Sequence, residues 1–182
     1  MKKTFAFAGV GPRNTPSDVL AEMTAMGELF ASLNWIGCSG FGQGADQAWL
    51  EKVPHKQQEV WLPWGNYNRA QLDTDKEKRF RILVPTEVMN SIASKHYAQN
   101  WNAASQGVRL LMMRNVAIML GNHGNQPVDL VAYWQSEENE FSMFGGTNHG
   151  IRVAVEAGIP CFNIRKQKDV DAMSAFVEKL MK

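Results

Sequence analysis

The chain has 182 residues, 45% of them hydrophobic and 20% charged, and its net charge at pH 7 is +1. These values are typical of one globular domain, here residues 1–182, and they argue against a disordered or fibrous protein. The small net charge gives no overall attraction to nucleic acid or to an anionic membrane, so any anion-binding site must be local.

Short apolar runs that end in glycine, proline or polar residues predict five β-strands. In chain order they are "TFAFAGVG" (4–11), "NWIGCSG" (34–40), "QEVWLPW" (58–64), "VDLVAYW" (128–134) and "GIPCFNI" (158–164). Runs that are apolar on both faces are typical of parallel strands covered by helices on two sides. The polar segment 65–81 is predicted to be a solvated loop or an exposed helical face.

Apolar residues at helical spacing predict helices between these strands. The first helix follows a cap at Ser17 or Thr15, and the second follows the turn "FGQGAD". Others start at Thr86 and Ser105, in the turn "FGGTNHG", and around Val170. Strands that alternate with helices predict an α/β fold with a parallel sheet of about five or more strands.

The sequence predicts neither a membrane-spanning segment nor a metal site. No apolar run approaches the roughly 20 residues of a membrane span, and the initial apolar run is too short for a signal peptide. We therefore expect a cytoplasmic protein with no membrane partner. Cys38 and Cys161 lack the spacing of zinc ligands and are expected to be reduced core thiols, so no metal is predicted.

Three glycine-bearing turns follow predicted strands, at the edge of a parallel sheet where ligands bind. Glycine lets backbone N–H groups approach an anion, and a following helix N-terminus adds partial positive charge. None of the turns matches the G-x-G-x-x-G or P-loop fingerprints, so no nucleotide cofactor is predicted. The candidate ligand-binding residues on these turns are Gly9, Gly11, Arg13, Asn14, Ser39, Gly40, Gly44, Asp46, Gly145, Gly146, Thr147 and Asn148. The alternative is that the glycines only relieve tight turns.

Four charged or titratable residues have more than one interpretation each. Arg13 either pairs with a phosphate or is an ordinary surface arginine. Arg114 interrupts the apolar "LLMMRNVAIML", so it needs a ligand, a carboxylate partner or access to solvent. Asp46 either accepts from a ribose hydroxyl or caps a helix, and His149 is either an acid–base group or a surface residue.

The order of several motifs resembles that of the SLOG superfamily, which includes the Smf/DprA DNA-processing proteins and the lonely-guy (LOG) phosphoribohydrolases. The motifs are "AGVGPRNTP", "SGFGQGADQAWL", "WLPW", "LMMRN" and "GGTNHGIRVAVEAGIPCFNI", and they look closest to short, stand-alone DprA-like proteins of phages. The resemblance implies a Rossmann-like sheet with helices on both faces and a nucleotide-type ligand over the strand ends. It places Arg114 at the substrate-contacting arginine of the LOG enzymes, Arg13 in the first loop of DprA, and Gly40, Gly44 and Asp46 on its second turn.

One departure from the LOG pattern bears on catalysis. Their motif P-G-G-x-G-T-x-x-E ends in a glutamate that serves N-glycosidic bond cleavage, whereas Gly150 stands three residues after Thr147 here. Glu156 lies too far along the helix to replace it. The resemblance therefore implies ligand binding more directly than hydrolysis.

Three functions are carried forward. The leading hypothesis is a nucleotide-binding protein that recognises a nucleoside phosphate or ADP-ribose-like ligand, and that senses or sequesters a signalling nucleotide in the host cytoplasm if it is phage-encoded. The second is an enzyme, an N-glycoside hydrolase of nucleotides, with His149 or a carboxylate other than the missing glutamate assisting water. The third is DprA-like binding of single-stranded DNA. A homo-oligomer, dimeric or higher, is expected in each case.

Overall fold

The protein has an α/β, Rossmann-like fold built on one parallel sheet. The computed structural model describes residues 4–69 and 79–182. The strands are β1 (Ala6–Val10), β2 (Ile36–Ser39), β3 (Gln58–Leu62), β4 (Phe80–Ile82), β5 (Leu130–Tyr133) and β6 (Cys161–Asn163). Their order across the sheet is β4-β3-β2-β1-β5-β6, and every neighbouring pair is parallel. The predicted fold class is therefore confirmed.

Within the described ranges, six α-helices connect or follow the strands. They are α1 (Ser17–Ser32), α2 (Ala45–Leu50), α3 (Glu87–His96), α4 (Gln106–Leu120), α5 (Gly146–Glu156) and α6 (Gln167–Met181). The predicted caps of α3 and α4 are confirmed, because the hydroxyls of Thr86 and Ser105 accept from the N–H groups of Met89 and Val108. Gly121 ends α4 with a φ of 70°, a backbone conformation that favours glycine.

Each face of the sheet carries its own hydrophobic core. One core contains buried residues of α3, α4 and α5, and the other contains buried residues of α1, α2 and α6. Alternate strand residues supply the two cores, as with Phe7 and Ala8 of β1, because successive strand side chains point to opposite faces. This confirms the expected covering of both faces by helices.

The structure corrects two local predictions. Phe80–Ile82 forms the edge strand β4, paired with β3, where a loop or helical face was predicted. An edge strand is half exposed, so it lacks the apolar signature of a central strand, and Ile82 is 48% exposed. The remainder of that polar segment from residue 70 to 78 lies outside the described residues. The N-cap of α1 is Pro16 without a side-chain hydrogen bond, since the Thr15 hydroxyl donates to the Pro12 carbonyl instead.

Two features are absent from residues 4–69 and 79–182. No helix in these ranges is long and apolar enough to span a membrane. The same residues contain no group of three or more metal-binding side chains.

Candidate functional site

A cavity of about 470 Å³ lies at the point where the strand order reverses. β1 has β2 on one side and β5 on the other, and the loops after all three strands contribute to the cavity wall together with α4 and the start of α5. Ligands of open α/β sheets bind outside the carboxyl ends of the strands at such a reversal. The topology therefore brings the three glycine turns of the sequence to a single cavity.

The N-terminus of α5 forms one wall of this cavity. Gly145 is the N-cap with a φ of 88°, which a residue with a Cβ adopts only under strain, and it offers no side chain to cap the helix. Gly146 and Thr147 line the cavity beside it. The Nδ2 of Asn115 in α4 donates to the Gly146 carbonyl at 3.0 Å and so fixes the first turn. An uncapped helix N-terminus with a fixed backbone is well suited to hold an anion.

The floor contains a buried ion pair. Arg114 of α4 and Asp46 of α2 both line the cavity, and Nη1 lies 3.2 Å from Oδ2, with both side chains about nine-tenths buried. The Gly42 N–H donates to the same Asp46 oxygen at 3.1 Å. Burial raises the pKa of the Asp46 carboxyl, and the Arg114 guanidinium and the Gly42 N–H oppose that rise. Of the interpretations left open for Arg114, the structure shows the ion pair with a carboxylate.

Neighbouring groups hold the Arg114 guanidinium in place. It lies over the ring of Tyr67, with Cζ 5.7 Å from the ring centroid, a favourable cation–π geometry. Gly40 leaves room for it, since a Cβ on Gly40 would lie 1.3 Å from Nη1. The Nε atom of Arg114 is buried, and no group in the described part of the chain accepts a hydrogen bond from it. The guanidinium therefore uses only part of its donor capacity within the protein.

The loop after β1 contributes to the rim. Arg13 is exposed and lines the cavity, whereas Asn14 is exposed and does not line it. Gly11 lines the cavity as well, and a Cβ there would lie 2.7 Å from the Cβ of Ala45. Arg13 is thus placed to reach a ligand from solvent.

Three other candidate residues support the turns from behind. The Ser39 hydroxyl is fully buried and donates to the Gly9 carbonyl at 2.7 Å, which links the ends of β1 and β2. Gly9 itself packs against Trp49, whose Cγ lies 2.4 Å from the position of a Cβ on Gly9. Gly44 has a φ of 81° and contacts the backbone of Arg13. None of these three lines the cavity.

Asn148 organises the loop between β5 and α5. It is buried, and its Nδ2 lies 2.8, 2.9 and 3.2 Å from the carbonyl oxygens of Asn139, Ser142 and Phe144. Its Oδ1 accepts from the Nε2 of Gln135, the second residue after β5. Asn148 lines the cavity, but its amide is occupied by the protein. Its main role is to shape the wall.

His149 is neither a surface residue nor part of this cavity. It is 1% exposed, and its Nε2 lies 3.0 Å from the Ala93 carbonyl, on the side of α5 that faces α3. Burial lowers its pKa to about 4, so the ring is neutral at pH 7. It lines an adjoining cavity of about 200 Å³ with Tyr97 and Arg152, and this cavity shares the residues at the start of α5 with the main one. The surface interpretation of His149 is therefore wrong, and an acid–base role in the main cavity lacks the necessary geometry.

The carboxylates of the site determine which chemistry is available. Of the described residues, Asp46 is the one carboxylate that lines the main cavity, and it is paired with Arg114. Gly150 packs against Met119, and a Cβ on Gly150 would lie 3.0 Å from the Met119 Cε. Glu156 is half exposed and pairs with Lys95 on the surface.

Sequence reasoning missed several residues of the cavity. Tyr67, Asn115 and Gln135 line it, and all three make contacts that hold other site residues. Asn115 follows Arg114 in the same apolar run, and Gln135 lies two residues after the apolar β5. A polar residue beside a predicted buried run is therefore the signal that could have identified both. Tyr67 had no such signal because its contact with Arg114 is long-range.

Comparisons with protein-family models, curated proteins and solved structures gave no match for this chain.

Proposed function

We propose that this protein binds a nucleotide-type phosphate ligand in the cavity at the strand-order reversal and does not cleave it. The supporting observation is the convergence of the α5 N-terminus, the Arg114–Asp46 pair and the rim residue Arg13 on one cavity. This matches the ligand-binding role implied by the resemblance to SLOG proteins. A protein that holds a nucleotide without turnover is suited to sense or sequester it.

The size and chemistry of the cavity support a nucleotide. Its volume of about 470 Å³ is within the range of roughly 300–1,000 Å³ that is common for small-molecule sites. The first turn of α5 offers N–H groups to a phosphate, and Arg13 offers a cation at the rim. Asp46 is an acceptor for a ribose hydroxyl, and Leu111 and Met112 of α4 supply an apolar wall.

Binding is favoured over hydrolysis because of the placement of the carboxylates. Cleavage of an N-glycosidic bond requires a group that activates water and a site that stabilises positive charge on the sugar. Asp46 is engaged by Arg114 and Gly42, which leaves it poorly placed to act as a free base. Incubation with nucleoside monophosphates, followed by chromatography, is expected to release no free base above a control without protein.

Single-stranded DNA binding receives less support. A groove that follows a nucleic acid backbone needs several cations, and its affinity falls steeply with salt. Of the described cavity residues, Arg13 and Arg114 are the basic ones, and Arg114 is already paired. A salt titration of oligonucleotide binding tests this. Sedimentation analysis tests the expected homo-oligomer, which stays a prediction.

Calorimetric titration with AMP, ADP and ADP-ribose tests the proposed binding. The informative variant is Thr147→Glu, because it places a negative charge in the first turn of α5, where the helix dipole favours it but a bound phosphate repels it. Thr147→Gln is the matched control of equal size without the charge. We expect Thr147→Glu to weaken binding at least tenfold relative to Thr147→Gln, while both variants remain folded. Absence of binding by the unmodified protein to all three compounds would reject the proposal.

A further inference from the structure

The loop between β5 and α5 presents its apolar side chains to solvent. Phe141, Met143 and Phe144 are 87%, 56% and 59% exposed. Glu140 of the same loop instead faces the protein, where it pairs with both Arg165 and Lys166. Exposed apolar clusters of this kind are typical of binding surfaces.

The backbone under Phe144 is held firmly. Its N–H donates to the Ser142 hydroxyl at 3.1 Å, and its carbonyl accepts from the buried Nδ2 of Asn148 at 3.2 Å. The ring itself stacks on none of the aromatic rings in the described part of the chain. A fixed backbone with an exposed ring is arranged for contact with a ligand, because little further ordering is required.

Position distinguishes Phe144 from the other two apolar residues. Phe144 lines the main cavity, directly before the α5 N-terminus at Gly145, whereas Phe141 and Met143 do not line it. The apolar residues Leu111 and Met112 of α4 line the same cavity. Tyr67 is the other aromatic residue among the described residues of the cavity wall, and it is 6% exposed and contacts Arg114. Of the two aromatic side chains, Phe144 is therefore the one whose ring is accessible to a ligand in the cavity.

We propose that Phe144 stacks on the planar base of the bound ligand, which makes the ligand a nucleoside phosphate and not a simple sugar phosphate. This inference rests on the proposed function. A phosphate on the first turn of α5 places the base of a nucleoside monophosphate one ribose away, and Phe144 immediately precedes that turn. Aromatic side chains bind every base through its π-face, so the contact selects for a base without selecting which one.

A comparison of AMP with ribose 5-phosphate by calorimetry tests the inference, since the two compounds share the sugar and phosphate and differ in the base. The variants are Phe144→Ala and the conservative Phe144→Tyr, and Phe141→Ala is the matched control in the same loop. We expect AMP to bind the unmodified protein at least tenfold more tightly than ribose 5-phosphate. Phe144→Ala is expected to weaken AMP binding by about 5-fold to 150-fold.

The remaining expectations identify the cause of that loss. Phe144→Ala should leave ribose 5-phosphate binding unchanged, Phe144→Tyr should retain AMP affinity, and Phe141→Ala should alter neither. Equal affinity for the two compounds, or an equal loss of both in Phe144→Ala, would overturn the stacking role and leave nucleotide binding intact. Failure of both compounds to bind would reject the proposed function as well. A loss of self-association in both alanine variants, with unchanged AMP affinity, would assign the cluster to contact between copies of the chain.

Discussion

Replacement of Arg114 by methionine tests the ion pair in the floor of the cavity. Methionine retains an unbranched apolar stem and removes the charge, so Asp46 is left as a buried carboxylate without its cation. At the observed 3.2 Å, two unit charges attract by about 5 kcal/mol at an effective dielectric constant of about 20. Loss of one partner from a buried pair costs about 3–5 kcal/mol in measured cases. We therefore expect Arg114→Met to reduce the free energy of unfolding by that amount.

Thermal and urea unfolding measure this effect. In a domain of 182 residues a loss of 1 kcal/mol lowers the Tm by about 2–4 °C, so the expected decrease is about 6–20 °C. The double variant with Asp46→Asn removes both charges and should be more stable than the sum of the single losses predicts, with a coupling energy of about 0.5–3 kcal/mol. Additive losses would refute the pairing as a stabilising contact.

The pH dependence of the same variant gives an independent check. Removal of Arg114 takes away the cation that opposes the raised pKa of Asp46, so that pKa rises further. A carboxyl whose folded pKa is raised contributes stability at low pH and loses it as the pH increases through the folded pKa. The deficit of Arg114→Met relative to the unmodified protein should therefore shrink as the pH is lowered from 7. A deficit that is constant below pH 7 would contradict a stranded carboxylate.

Three further predictions concern other parts of the site. Gly40→Ala places a Cβ 1.3 Å from the Arg114 guanidinium, so it should displace that group and lower the Tm about as much as Arg114→Met does. His149→Gln removes a ring whose pKa falls from 6.5 to about 4 on folding. The neutral form is favoured in the folded state, so between pH 6.5 and 4 the unmodified protein should lose about 3 kcal/mol more than the variant in urea unfolding. Asn148→Ala leaves the carbonyls of the loop 136–144 without their donor and should cost about 1–3 kcal/mol, with faster proteolysis inside that loop.

Each of these has a result that would contradict it. An unchanged Tm in Gly40→Ala would mean that the guanidinium moves aside without loss of its pairing. Parallel pH profiles for His149→Gln and the unmodified protein would show that His149 titrates equally in the folded and unfolded states. Equal proteolysis rates in Asn148→Ala and in Thr147→Ala, its half-exposed neighbour, would show that the loop does not depend on the Asn148 amide.

Much of the fold could be read from local patterns. The five predicted strands and the caps at Thr86 and Ser105 depend on short-range periodicity and on hydrogen bonds between residues three apart. The edge strand β4 was missed because its pairing with β3 is made by the backbone while its side chains stay half exposed. The cap of α1 was wrong because Thr15 has an alternative acceptor in the Pro12 carbonyl.

For the candidate site, the sequence determined which turns lie at the carboxyl edge of the sheet, because parallel strands bring their carboxyl ends together whatever the details of packing. It also determined that Arg114 needs a partner, because a charge in an apolar helix is costly. Only the tertiary structure decided that the partner is Asp46, 68 residues away, and that Gly40 clears space for the pair. The tertiary structure also decided that His149 is buried against α3. The packing of the helices, and not the position of the residue in a polar turn, determines which face of α5 is covered.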